Sequence, residues 1–344
     1  MSGSFLRLFK YPLCFVVLYL GYFPVSYSQI MTVQGKIDSE SMGTVLPHEH
    51  VMVDWVGADQ TGNHRWSVNE VVARALPFLQ EVKQKGVTTF IDCTPAYLGR
   101  DPLVLKKLSE LSGLQIMTNT GFYGAGENKY VPKKVLEASE DSIAGVWIHE
   151  FFEGIDSTGI KPGFIKISVD ANTQLSSFHQ KLVAAAALTH LQTGLTIVSH
   201  TGSDEAAGQQ IDILKKMEAP TSAFVWAHAQ NGTMEGNLDI VGQGGWISLD
   251  GVNADGENGK KNIDFYVQRL LVLKERKFLD HVLISQDAGW YTVGEENGGS
   301  FRGYTDIFEV LLPELKKNGF TPEELHLLMK VNPARAFSLK PVKY

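Results

Sequence analysis

The chain has 344 residues, 44% hydrophobic and 20% charged, with a net charge of −7 and two cysteines. That composition can build a substantial apolar core and excludes a disordered or low-complexity chain. An acidic balance without any basic run sets aside nucleic acid and anionic membranes as partners.

Residues 1–28 read differently from the rest. Arg7 and Lys10 give a basic start, "YPLCFVVLYLGYF" (11–23) is apolar, and "VSYSQ" (25–29) offers small residues. The pattern predicts a secretory signal peptide cut after Ser28, and hence a periplasmic or secreted protein. An uncleaved anchor is the rival reading, although the apolar stretch falls short of the ~20 residues of a membrane span. Cleavage removes Cys14 and leaves only Cys93, so the mature chain has no intramolecular disulfide. The mature charge becomes about −9, since Arg7 and Lys10 leave with the segment.

Residues 29–344 contain no linker or break in composition and are expected to form one domain. Short β-rich runs recur at 43–51, 87–94, 115–121, 163–169, 195–200, 222–228, 245–250 and 281–287. Helical segments with readable ends lie between them. Ser67 and Glu70 suggest a capping box opening 68–85, and Gly86 ends that helix. Asp101-Pro102 opens the next, which Gly113 closes. Further helices are expected near 141–154, 177–193, 204–218, 233–242, 263–277 and 304–318, with a last one from Thr321. Eight strand–helix units predict a (β/α)8 TIM barrel. The alternative, a doubly wound open sheet, would want a glycine-rich turn after its first strand, and 51–66 has none.

In such a barrel the chemistry sits at the C-terminal strand ends. The first run ends in His48-Glu49-His50, where alternation puts both imidazoles on one face and Glu49 on the other. The fifth ends at His200, the sixth at His228 and the eighth at Asp287, while the fourth carries Lys166. One such residue is weak evidence of a metal site; the shared position within the unit is strong evidence. An ammonium at Lys166 would repel metal ions. Reaction of the neutral amine with CO2 gives a carbamate, an anion able to bridge two metals. His64, His149, His179, His190, His281 and His326 lack this placement and read as surface or structural.

With "GTVLPHEH", "FIDCT", "LGRD", "TGFY", "GFIKIS", "SHTG", "ISQDAGW" and "NPARAF", the chain from about 43 to 337 resembles the phosphotriesterase family of the amidohydrolase superfamily. The resemblance implies a dinuclear metal-dependent hydrolase, most often with zinc, in which a metal-bridging hydroxide attacks a phosphoryl or carbonyl centre. It implies His48, His50 and Asp287 on the more buried metal, His200 and His228 on the more exposed one, and carbamylated Lys166 between them. It gives Asp287 the proton of the hydroxide, and sets Tyr123 where lactone-cleaving relatives keep a tyrosine. Those relatives often carry arginine after the strand-seven aspartate, where this chain has Gly251. Trp290 and Tyr291 are expected to wall the leaving-group side, and the glycine-rich loops 251–260 and 293–303 to gate the mouth. The expected partner is a small-molecule ester, phosphoric or carboxylic, lactones included; a homodimer is left open. A non-catalytic exported binding protein is the contrasting reading, but it has no use for a proton-accepting Asp287.

Overall fold

The computed structural model describes residues 28–341, and the predicted signal segment lies outside them apart from Ser28. A hairpin of β1 (Gln29–Thr32) and β2 (Gly35–Asp38) leads into β3 (Thr44–Val53) and β4 (Val87–Asp92). The third barrel strand is split into β5 (Gln115–Met117) and β6 (Asn119–Thr120). Then come β7 (Phe164–Ser168), β8 (Ile197–His200), β9 (Phe224–Ala227), β10 (Trp246–Leu249) and β11 (Val282–Ile284). A short β12 (Gly289–Thr292) follows.

Neighbouring strands pair in parallel in two arcs, β12-β3-β4-β5 and β6-β7-β8-β9-β10-β11. The arcs share the third strand, because β5 pairs with β4 and β6 with β7 on either side of Thr118. At the other seam the ring is drawn together by the segment after β11. Asp287 N donates to His48 O at 3.1 Å and His50 N to Ala288 O at 3.0 Å. The fold is the (β/α)8 barrel expected, with its last unit tied to its first through the residues around Asp287.

The covering helices are α1 (Val68–Gln84), α2 (Pro102–Ser112), α3 (Lys133–Leu136), α4 (Glu140–Glu153), α5 (Ser177–Thr193), α6 (Asp204–Lys216), α7 (Met234–Gly242) and α8 (Gly259–Glu275). The last part of the chain forms α9 (Leu312–Lys317), α10 (Pro322–His326) and α11 (Asn332–Phe337), with π-helical turns at Ile307–Leu311 and Leu327–Val331. Asp101 caps α2 by accepting from Leu103 N and Val104 N, and Gly113 ends it in the left-handed conformation. Thr321 and Glu324 form the full capping box of α10. Ser67 takes the N-cap position of α1, but its side chain makes no capping bond, so the box expected there is not formed.

Strand alternation divides the core into layers. Ile165 and Ile167 of β7 face the helices and are fully buried, while Phe164 and Lys166 face the barrel interior. Each buried isoleucine contributes roughly 1.5–3 kcal/mol relative to exposure. The interior layer includes Val45, Ile91, Met117, Val198, Val225 and Leu283, closed at the N-terminal end by Ile30 and Phe337. This apolar plug leaves only the C-terminal mouth for polar side chains. No helix among the described residues is long and apolar enough to cross a membrane.

Candidate active site

His48 and His50 come from the end half of β3, and a local irregularity decides which face the pair shares. Leu46 packs outward against the helices, whereas His48, two residues on, faces the barrel mouth. The register of β3 against β4 shifts between Leu46 and Glu49, at Pro47, which has no N–H to give to a ladder. Lys166 lies within β7 and His200 ends β8. His228 follows β9 with φ +64°, and Asp287 follows β11 with φ +52°. A left-handed backbone is costly for a side-chain-bearing residue and concentrates at functional positions.

All six side chains line one pocket of about 140 Å³, shared with Trp55, Cys93, Pro95, Leu98, Tyr123 and Trp290. A larger cleft of about 750 Å³, around Trp246 and His281, lies at the opposite end of the barrel and contains none of them.

The hydrogen bonds fix where the imidazole protons lie. Asp250 Oδ2 is 2.6 Å from His48 Nδ1, and Asp250 Oδ1 is 2.8 Å from His228 Nδ1. An ionised carboxylate only accepts, so each Nδ1 carries the proton and each Nε2 keeps its lone pair. His50 Nδ1 is 2.7 Å from Thr94 Oγ1, whose own proton goes to Met52 O at 3.0 Å. Thr94 therefore accepts, and His50 Nε2 is also a lone pair. That atom sits 3.0 Å from Asp287 Oδ1, which is buried and receives no well-aligned hydrogen bond. Two acceptors face each other at this distance only at a cost, which a cation between them removes. One ligand atom each of His48, His50 and Asp287 lies within 4.8 Å of the others, so the donor set fits a divalent metal. His48, His228 and Asp250 also cluster within that range. The bonds just described make Asp250 the carboxylate behind two histidines rather than a ligand itself.

The electrostatics agree. Burial pushes the His50 imidazole down to about 4, and burial together with Lys166 lowers His48. Burial and His228 hold His200 well below the ordinary histidine range. His228 moves the other way, because Asp250 outweighs its burial. Burial opposes ionisation of Asp250 and Asp287, yet the surrounding histidines keep both carboxyls well below the usual range. Burial thus favours unprotonated nitrogens on His48, His50 and His200, beside the ionised carboxylates of Asp250 and Asp287, with His228 the exception. Lys166 is 1% exposed, with Nζ 3.1 Å from His48 Nε2. No carboxylate lies within 4 Å of it among the described residues.

This arrangement has its counterpart among known proteins: the model of the phosphotriesterase family matches residues 28–337. The chain belongs to the phosphotriesterase family. It is a metal-dependent ester hydrolase, and His48, His50 and Asp287 form a group able to hold a metal ion. The aryldialkylphosphatase of Saccharolobus solfataricus is 28% identical over 314 residues, spanning 88% of this chain and 97% of that protein. An N-acetyltaurine hydrolase of Dictyostelium discoideum is 25% identical over 296 residues, 83% of this chain and 78% of its own. The solved structure of a mutant PTE-like lactonase from Deinococcus radiodurans matches with a TM-score of 0.80 at 26% identity, covering 90% of this chain and all of that one.

Within this phosphotriesterase-family pocket, Tyr123 places its hydroxyl 3.2 Å from His200 Nδ1, and burial raises its pKa, so it remains a neutral phenol. Trp290 stacks on His50 with ring centroids 3.8 Å apart, and Trp55 stacks on Trp290. Tyr291 does not join the wall as expected. Alternation along β12 sends it outward, into a cleft with His64, Arg65, Trp66 and Glu295. Gly251 has a steric reason: a Cβ there would meet the Tyr266 hydroxyl at 2.7 Å and Gln230 Nε2 at 2.9 Å. The loop after it is fastened by Asn253 N donating to Asn262 Oδ1 and Ala254 N donating to Asp306 Oδ2.

Asp250 is the residue that sequence reasoning missed. The signal was present, since it ends the "GWISLD" run in the position that His200 and His228 hold in theirs. Of the six other histidines, His179 and His190 are buried on backbone carbonyls, and His149 is exposed, as structural and surface residues should be.

Proposed function

We propose that the pocket holds two divalent cations, zinc foremost, and hydrolyses a neutral ester, either a phosphotriester or a lactone or other carboxyl ester. The observation that carries this reading is the convergence of unprotonated atoms: His48 Nε2, His50 Nε2 and Asp287 Oδ1 point inward while their partners stand behind them. His48, His50 and Asp287 would hold one ion and His200 and His228 the other. Lys166, uncompensated by any nearby carboxylate, would lie between them as a carbamate formed from CO2. When bound, the pair of cations supplies Lewis acidity toward the ester oxygen and lowers the pKa of water toward 7.

The chain's own groups do the rest. Asp287 stays ionised, and its side chain is 28% exposed, so a carboxylate oxygen can take the proton of the attacking water and release it to solvent. Tyr123, neutral, offers an O–H to the substrate beside His200. Trp290 and Trp55 give the substrate's apolar part a flat wall and limit water at the mouth.

Substrates such as N-acetyltaurine carry a sulfonate. Among the described residues that line the pocket there is no arginine and no lysine but Lys166, which as a carbamate could not pair with a sulfonate, and this favours neutral esters over that class. We also propose export: β1 starts at Gln29, so cleavage after Ser28 leaves every strand among the described residues whole, and the exported protein should begin at Gln29 by mass spectrometry.

The decisive experiment loads the purified protein with zinc, manganese or cobalt and assays aryl dialkyl phosphates, lactones, aryl esters and N-acetyl amino sulfonates. Turnover of a neutral ester with two metals per chain is expected. A loaded protein that cleaves only the amide, or nothing, would refute the ester reading.

A further inference from the structure

Glu49, the acid between the two histidines, is buried at 0% exposure and takes no part in the pocket. Its two oxygens are instead occupied from the far end of the chain. Oε1 accepts from Ser285 Oγ at 2.8 Å and Gln286 N at 3.0 Å, and Oε2 accepts from Ala288 N at 2.8 Å. These two backbone donors flank Asp287 on either side. Ser285 Oγ in turn accepts from His48 N at 2.9 Å, so the contact is stitched back to β3.

The carbonyls of the same turn point the other way and meet a cation. The Arg302 guanidinium donates to Gln286 O and, at 3.3 Å, to Asp287 O, while its other nitrogen reaches Val252 O at 3.1 Å. The left-handed turn at Asp287 therefore lies between a buried carboxyl group gathering its N–H groups and a guanidinium gathering its C=O groups. Gly289, with φ +102°, completes the fit: a Cβ there would stand 1.8 Å from His50 O.

We propose that Glu49 and Arg302 form a clamp that fixes the backbone of Asp287, making Glu49 the positioning residue that aims the Asp287 carboxylate at His50 and at the attacking water. The role deepens the proposed reaction and rests on it. The clamp explains why a single tripeptide alternates ligand, acid, ligand. The outer residues supply two imidazoles, and the middle one locks the third ligand to them from the opposite side of the strand.

The test is made on the full-length protein, with zinc as the probe. In Glu49→Ala the Ser285 hydroxyl, the N–H groups of Gln286 and Ala288 and, at 3.5 Å, Gln286 Nε2 lose an acceptor, and the Asp287 turn is released. Affinity for one of the two zinc ions should fall about 10–100-fold, the range seen when the partner behind a ligand is lost, while the other ion stays. At saturating zinc the second ion returns, but kcat should remain at least 10-fold down with KM within about 2-fold, because the proton acceptor is misaimed. Glu49→Gln keeps an acceptor toward Ser285 and Gln286 and sets an amide donor against Ala288 N–H, so it should fall between wild type and alanine. Should Glu49→Ala fail to fold, Glu49→Gln and Arg302→Lys are measured in its place and should show the same pattern in smaller degree. Wild-type kcat at saturating zinc in the folded variants overturns the clamp, as does equal weakening of both ions. A wild-type protein that binds fewer than two zinc ions would instead overturn the dinuclear reading beneath it.

Discussion

Replacing Asp250 by asparagine changes one atom yet should disable one histidine of the site in preference to the other. The carboxylate is fully buried and accepts on both oxygens. Oδ1 takes His228 Nδ1–H at 2.8 Å, His228 N at 3.1 Å and Gln230 Nε2 at 3.1 Å; Oδ2 takes His48 Nδ1–H at 2.6 Å and shares His228 N. An amide nitrogen placed on the Oδ1 side would face three donors, and on the Oδ2 side two. The NH2 group therefore settles opposite His48, whose Nδ1–H it repels. His48 escapes by moving its proton to Nε2, the atom it needs for metal. Loss of such a partner costs about 10–100-fold in metal affinity, or about 1.4–2.8 kcal/mol. This agrees with the roughly 1.5–3 kcal/mol of a hydrogen bond to a charged group. Chelator competition, followed by metal analysis of the dialysed protein, resolves the two ions. The expected result is one ion weakened 10–100-fold and kcat/KM restored by excess metal, since Asp287 and its clamp are untouched. Unchanged affinity for both ions would refute the assignment of proton positions on which the site rests.

Three further outcomes follow from the same geometry. Lys166→Ala should lower kcat at least 1000-fold, and millimolar acetate with added metal should restore part of it by replacing the bridging anion; full activity without either would exclude a carbamate. The His50 imidazole, lowered to about 4 from an ordinary 6.5, makes the metal-free protein sensitive to acid. The unfolded chain takes up that proton first, so the contribution, on the order of 3 kcal/mol, is whole above pH 6.5, declines as pH falls and is gone below about 4. Thermal melts of wild type and His50→Asn across pH 4–7 should converge toward acid; parallel curves would count against it. Tyr123→Phe removes the neutral O–H beside His200 and should reduce kcat/KM about 10-fold on lactones with the metal content unchanged; equal rates would mean that the phenol does not meet the substrate.

Much of this was legible in the sequence because a barrel repeats its geometry. A strand–helix unit has one end that faces the mouth, so His200, His228 and Asp287 announced their meeting place through their position in the unit. The alternation of Ile165, Lys166 and Ile167 likewise gave the lysine its direction. What escaped were departures from strict alternation and contacts made behind the ligands. The bulge at Pro47 reverses the parity between Leu46 and His48, yet both histidines still reach the mouth because the reversal precedes them both. Trp290 has φ +77°, which turns its ring onto His50, and Tyr291 follows it outward. Asp250 and Glu49 work across 202 and more than 235 positions of sequence, where no local pattern tells a buried carboxylate that orients a ligand from an ordinary strand end.

These long-range contacts also explain why the site lies where the ladder of strands is least regular. Between β11 and β3 the ring is held by Asp287 N on His48 O and His50 N on Ala288 O, so the same few peptides join the last unit to the first and carry three of the side chains proposed as metal ligands. A regular ladder there would keep Asp287 extended, with its carboxylate on one strand face or the other. The left-handed turn frees it to cross toward His50, and Glu49 takes up the two amide protons that such a turn leaves without ladder partners. Joining the two ends of the chain and aiming the proton acceptor are thus one structural event, which is why an ionisable side chain is kept at full burial between two ligands.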